Sequence, residues 1–199
     1  IRAASQIMAN LPYVKGVRIG IKLPDTVNIM IEEESVVYAI KSSDGQWWMM
    51  DSDGRVVEQA NNAKAATATQ VLGVTLEAPT VNEKGVATEM TPSETNELGE
   101  LIPVTTTGAQ RLTAALQILK ALENNDIVGE AASVDVTSTE DIILWYGARY
   151  QVNLGDTSRL DYKVDCMNDA ILQMSDYQSG VLDISFTIWP NQVGYTPFA

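Results

Sequence analysis

Apolar and polar positions alternate at two different periods along this chain. Ile1, Ala4, Met8 and Leu11 recur at helical spacing, and Pro12 ends that helix. Val17, Ile19, Ile21 and Leu23 then alternate with Arg18, Gly20 and Lys22, the pattern of a half-buried strand. Pro24-Asp25 supplies a turn, and Val27, Ile29 and Ile31 continue as a second strand. A meander is predicted next, with strands at Ser35 to Ile40, Gln46 to Met50 and Arg55 to Val57, joined by Ser42-Ser43-Asp44-Gly45 and Asp51-Ser52-Asp53-Gly54. Residues 58–70 have weak periodicity, Val71 to Leu76 reads as a short strand, and residues 77–106 read as a long loop insertion. Ala109 to Glu123 is a helix with Leu112, Ala115, Leu116, Leu119 and Leu122 on one face, and Thr107 with Gln110 can form a capping box. Strands follow at Ala132–Thr137, Ile142–Tyr146 and Tyr150–Leu154, then a helix over Ser158 to Met174, capped by Asp156, Thr157 or Ser158. A last strand runs from Val181 to Trp189 and buries Leu182, Ile184, Phe186 and Ile188 on one face. Strands linked mostly by hairpins, with two main helices, give an α+β fold with a mostly antiparallel sheet.

Composition narrows the function. Hydrophobic residues make up 45% of 199, enough for a real core. The net charge of −13, with only 13 Lys and Arg, argues against nucleic acid, whose binding draws on phosphate neutralisation. An anionic membrane surface is disfavoured for the same reason. Histidine is absent, which removes the His-dependent Ser and Cys hydrolases and the His-ligated zinc enzymes. The single cysteine, Cys166, excludes an intrachain disulfide and a cysteine-built zinc site. Ile1 opens directly into a helical pattern, so a fragment is expected, with any signal or membrane anchor outside it.

The candidate chemical motifs are weak. Asp51-Ser52-Asp53-Gly54 begins like a calcium loop, but Arg55, Val56 and Asn62 stand where that loop needs a ligand, a glycine and a glutamate. A β-turn is the reading it supports. Glu32-Glu33-Glu34 reads as a solvated strand end rather than a catalytic or metal carboxylate set. Trp47 and Trp48 must point to opposite faces of their strand, so one can be core while the other is available. Neither Gly147-Ala148-Arg149 nor Leu154-Gly155-Asp156 matches a phosphate loop, and Cys166 has no histidine to activate it. No catalytic residue, metal or cofactor is predicted.

The C-terminal stretch SFTIWPNQVGYTPFA stands apart, with a strand that ends at Pro190 and the aromatics Trp189, Tyr195 and Phe198. Proline suits a sheet edge, and an open edge can accept an extended partner strand with aromatic anchors beside it. A tail that folds back on its own domain accounts for the same residues.

The order of motifs resembles the extracytoplasmic part of the DivIB/FtsQ family of bacterial division proteins. Pro12-Tyr13-Val14 matches its "PyV" step, and Pro24, Thr26, Ile29, Ile31 and Glu33 match "P-x-T-x-x-I-x-I-x-E". Asp51, Gly54 and Val56 match "D-x-x-G-x-V". Gly147, Val152, Leu154, Gly155 and Lys163 match the later glycine strand and its lysine, and Asp183, Ile184 and Ser185 match the "D-I/L-S" strand. The resemblance implies a truncated POTRA-like helix-hairpin at 1–34 and a β domain at 35–199. It also implies an extracytoplasmic position at the septal membrane, anchored by a segment outside this chain. The function implied is a non-catalytic scaffold that binds DivIC/FtsB-type and FtsL-type partners by strand addition. By position, the partner would meet Phe186, Thr187, Ile188, Trp189, Val193, Gly194 and Tyr195. A POTRA-containing assembly or secretion component and a carboxylate-based hydrolase are the competing readings. The first half of the POTRA unit is missing, which leaves an edge open to a second copy.

Overall fold

The computed structural model describes residues 4, 6, 7, 10–33, 37–89, 106–188 and 190–198. Residues 4, 6, 7 and 10 are helical, Leu11 is not, and the rest of the predicted first helix lies outside the described set. Two sheets follow. Strands β1 (Val14–Lys22) and β2 (Thr26–Glu33) form an antiparallel hairpin in which Val17, Ile19 and Ile21 stand opposite Ile31, Ile29 and Val27. Its apolar side chains are largely uncovered, with Ile21 77% and Leu23 85% exposed.

The second sheet has nine strands: β3 (Tyr38–Ser42), β4 (Trp47–Met50), β5 (Val56–Ala60), β6 (Gln70–Leu76), β7 (Ala131–Asp135), β8 (Ile142–Tyr146), β9 (Tyr150–Gly155), β10 (Gly180–Asp183) and β11 (Gly194–Pro197). Their spatial order is β11-β10-β9-β8-β7-β6-β3-β4-β5. Most neighbours are antiparallel, but β3–β6, β6–β7 and β9–β10 are parallel. Each parallel step needs a crossover, and two of the three carry the main helices. The β6–β7 connection holds α2 (Gly108–Asn124), and the β9–β10 connection holds α3 (Leu160–Leu172). Between β5 and β6, Asn61 caps a short helix, α1 (Asn62–Ala65), in the stretch of weak periodicity where no element was expected.

The helices cover one face of the sheet. Leu112, Ala115, Ile118, Leu119 and Leu122 of α2 and Val164 and Met167 of α3 are buried against Ile40, Val71, Val134, Leu144, Val152 and Leu182. Each fully buried Leu or Ile stabilises the fold by roughly 1.5–3 kcal/mol. Thr107 and Gln110 form the expected reciprocal cap of α2. The other face carries a smaller cluster of Ala39, Met49, Val57 and Ala65, and Tyr13 packs on it. Trp48 joins the first cluster and Trp47 the second, as alternation requires.

Register shifts occur in four strand pairs of the large sheet, and the one between β3 and β6 is the longest. Ile40 pairs with Val71, yet the next residue, Lys41, pairs with Thr75, so Leu72, Gly73 and Val74 bulge out of β6. Gly73 holds φ +81, and a Cβ there would sit 2.2 Å from the Thr137 backbone nitrogen. The buried Arg111 of α2 donates to the Gly73 carbonyl at 3.3 Å.

The sheet ends differently on its two sides. Residues 77–89 form no helix or strand, but part of them lies along the start of β5. Val56 N–H donates to Glu83 at 2.8 Å, Asn82 N–H to Val56 at 2.8 Å and Gly85 N–H to Gly54 at 2.8 Å. On the other side β11 is outermost, and among the described residues nothing pairs with its outer flank.

The predicted strand from Val181 to Trp189 is shorter in the structure. It stops at Asp183, whose carboxylate accepts hydrogen bonds from Ser185 N–H at 3.0 Å and Ser185 Oγ at 2.7 Å. That turn redirects the chain, and Phe186 adopts a left-handed φ of 59°. Leu182 and Ile184 are buried as expected, whereas Ile188 is 68% exposed and Phe186 is only partly covered. The start of α3 also differs. Its cap position is Arg159 at φ 54, with no side-chain cap, because Asp156 is engaged elsewhere.

Candidate interaction edge

Two ladders determine which main-chain groups of the C-terminal edge face outward. Gly180 N–H donates to Arg149 and Ile184 N–H to Asn153, so the even-numbered residues of β10 bond to β9. The odd-numbered residues therefore face β11, and Phe198 N–H donates to Ser179 at 3.1 Å. In register, Val181 meets Thr196 and Asp183 meets Gly194. Gly194, Thr196 and Phe198 thus bond inward. Tyr195 and Pro197 turn their main-chain groups to the outside, and proline has no N–H to offer.

Side chains fix this edge from both faces. On the helix face, Tyr195 and Val193 pack on the main core, and Tyr195 hydroxyl donates to the Ser179 carbonyl at 3.1 Å. On the opposite face Phe198 stacks on Trp145, ring centres 6.2 Å apart. The loop from 184 to 193 adds a third group. Phe186 lies 5.6 Å from Tyr162, and the Arg159 guanidinium sits over Tyr162 at 4.4 Å and Phe186 at 5.6 Å. A hydrogen bond with Cys166 pushes the Tyr162 hydroxyl up from its ordinary value.

The turn beneath that group is pinned by Lys163, which is 1% exposed. Its Nζ donates to the carbonyls of Leu154 and Asp156 and to Asp156 Oδ1, each at 2.8 Å. The ammonium, with Ser158, holds the Asp156 carboxyl down at about 2.

The expected partner residues fall into two places. Val193, Gly194 and Tyr195 lie at or beside the edge strand, as does Pro197, which sequence reasoning did not single out. Phe186, Thr187 and Ile188 belong to the preceding loop, and Trp189 lies outside the described residues. The signal for Pro197 was its place in an alternating Gly194-Tyr195-Thr196-Pro197 run, where a proline marks an outward-facing nitrogen.

The other motifs are structural. Asp51 Oδ1 accepts from Asp53 N–H at 3.1 Å and Arg55 N–H at 2.8 Å, so it closes its own turn. Glu32 and Glu33 are exposed, and Glu34 is outside the described residues. Among the described residues no group of three or more His, Cys, Asp or Glu could hold a metal ion, and no helix is long and apolar enough to cross a membrane.

The molecule is thus an α+β sheet domain with an appended hairpin and an open C-terminal edge. The protein named cell division protein DivIB of Clostridium tetani (strain Massachusetts / E88) is 25% identical over 185 residues, 92% of this chain and 62% of that protein. The DivIB of Clostridium acetobutylicum is 34% identical over 65 residues, 33% of this chain and 26% of that protein. The chain is thus similar to two bacterial cell division proteins named DivIB. The chain spans less than two thirds of the length of either relative. No family model matches it.

Proposed function

We propose that this chain is the non-catalytic, extracytoplasmic binding part of a division scaffold. It holds DivIC/FtsB-type and FtsL-type partners at the septum by adding a partner strand to β11. The residues before β3 serve as a partial POTRA unit, and those from β3 onward as the β domain. One observation supports the strand-addition reading above others: β11 is the outer strand of the large sheet and among the described residues nothing pairs with its outer flank, while on the opposite side the main chain of Val56 is bonded to Asn82 and Glu83. Unpaired main-chain groups on an edge are ready partners for an extended segment. The proposed contact set keeps Gly194 and Tyr195 on the strand, Val193 just before it and Phe186, Thr187 and Ile188 in the preceding loop, together with Trp189, which lies outside the described residues.

The test is a titration of this chain with the extracytoplasmic part of the DivIC/FtsB-type protein from the same organism. Binding that Phe186→Asp and Tyr195→Ala each weaken, with unchanged circular dichroism, supports the reading. Binding indifferent to both substitutions, or no binding at high micromolar concentration, overturns it.

A further inference from the structure

We infer that Pro197 and Tyr195 restrict strand addition at this edge to a short segment with a defined side-chain pattern. The inference rests on the scaffold reading above. Between Gly194 and Pro197 only Tyr195 turns an N–H outward, because Thr196 bonds to Val181 and proline lacks the donor. Tyr195 is therefore the one position on β11 that can exchange both main-chain hydrogen bonds with a partner residue. At Pro197 a partner can donate to the carbonyl but receives nothing in return.

An antiparallel partner strand then has its anchoring residue opposite Tyr195, and it continues past Gly194 toward Val193. Cross-strand neighbours share a face. The anchoring residue and the one opposite Val193 lie on the helix face, where Tyr195 and Val193 already border the main core. Apolar side chains there extend that core. The residue between them lies over Gly194, which has no side chain, so a bulky group fits on the other face. The fitting partner is an extended apolar–bulky–apolar segment that ends its pairing near Pro197. Past that point its carbonyl would face a proline ring and stay unpaired.

The experiment compares Pro197→Ala, Tyr195→Ala and Tyr195→Pro in this chain, titrated with the same DivIC/FtsB-type probe, with amide exchange read by NMR. Pro197→Ala restores one outward donor and is expected to tighten binding about fivefold, with the new amide at position 197 protected only in the complex. Tyr195→Pro removes the outward donor without touching the β10 ladder, and is expected to bind at least about tenfold more weakly than Tyr195→Ala. Equal affinity of the two Tyr195 variants overturns the inference while parental binding keeps the scaffold reading. So does a Pro197→Ala variant that binds like the parent and leaves its new amide unprotected. No binding by the parent overturns both.

Discussion

Lys163 Nζ lies 2.8 Å from Asp156 Oδ1, and the lysine is buried while the carboxylate's side chain remains 56% exposed. The pair closes the turn between β9 and α3, and its two backbone bonds matter as much as the charge. Lys163→Met leaves the Leu154 and Asp156 carbonyls unpaired, and a loss of about 2–4 kcal/mol in urea unfolding is expected. A loss below about 1 kcal/mol would show that water replaces the ammonium.

Asp156 adds a pH dependence of known sign. Its folded value is about 2 against an ordinary 3.8, chiefly through the Lys163 hydrogen bond. A depressed carboxyl contributes stability that is present above its unfolded value and lost as pH falls through the folded one. Stability should therefore decline between about pH 4 and 2, and Asp156→Asn should flatten that part of the profile. An unchanged slope in Asp156→Asn would assign the acid sensitivity to other carboxylates. The partner is solvent-exposed, so the effect is modest.

Gly73 is irreplaceable for two reasons at once: its φ of +81 and the Thr137 backbone 2.2 Å from any added Cβ. Gly73→Ala is expected to cost roughly 3 kcal/mol or more, since both strain and overlap oppose it. Thermal unfolding measures this, and a near-parental midpoint would mean that the β6 bulge relaxes.

Tyr150 is 1% exposed, and its hydroxyl has no hydrogen-bond partner among the described residues. Removing an unpaired buried hydroxyl relieves a desolvation cost. Tyr150→Phe is expected to be neutral or to stabilise by up to about 1 kcal/mol in chemical denaturation. A clear destabilisation would reveal a bridging water.

Tyr13 ties the hairpin side of the chain to the large sheet. Its hydroxyl donates to Glu58 Oε1 at 2.7 Å and accepts from Lys64 at 3.1 Å, while Lys64 also pairs with Glu58. Burial and the Glu58 hydrogen bond push the Tyr13 hydroxyl above its ordinary value. Tyr13→Phe should speed amide exchange in β1 and β2 several-fold and leave the midpoint of global unfolding within about 1 °C, because local opening needs less than the whole fold. Equal acceleration throughout β8 and β9 would contradict a local role.

Much of this architecture was readable from local rules. Alternating side chains placed β1, β2, β8 and β9, and Asp-Gly turns bounded β4. The Thr107–Gln110 pair marked the start of α2. Three features were not readable. The helix α1 is a single turn set by the Asn61 cap, too short to impose a period. The start of α3 depends on a tertiary choice, because Lys163 draws Asp156 away from a capping role. The last strand misled by its own pattern: Leu182, Ile184, Phe186 and Ile188 keep alternating after Asp183 and Ser185 have turned the backbone. An open edge was expected on the 181–189 strand, but β10 lies between β9 and β11, so the tail folds back on its own domain, the alternative that the same residues allowed, and β11 takes the outer place. That position was not readable, since nothing local says that Tyr195 returns to pair with Leu182.

The bonds of residues 82–85 to Gly54 and Val56 make the two sides of the large sheet unequal. A sheet with two free sides can pass strands along indefinitely and grow into a filament. Among the described residues the Val56 main chain is already bonded outward, whereas nothing pairs with the outer flank of β11. A strand that sought to pair along the whole of β5 would first have to displace residues 82–85. The sheet is therefore a directional template, hindered at the start of β5 and unhindered along β11.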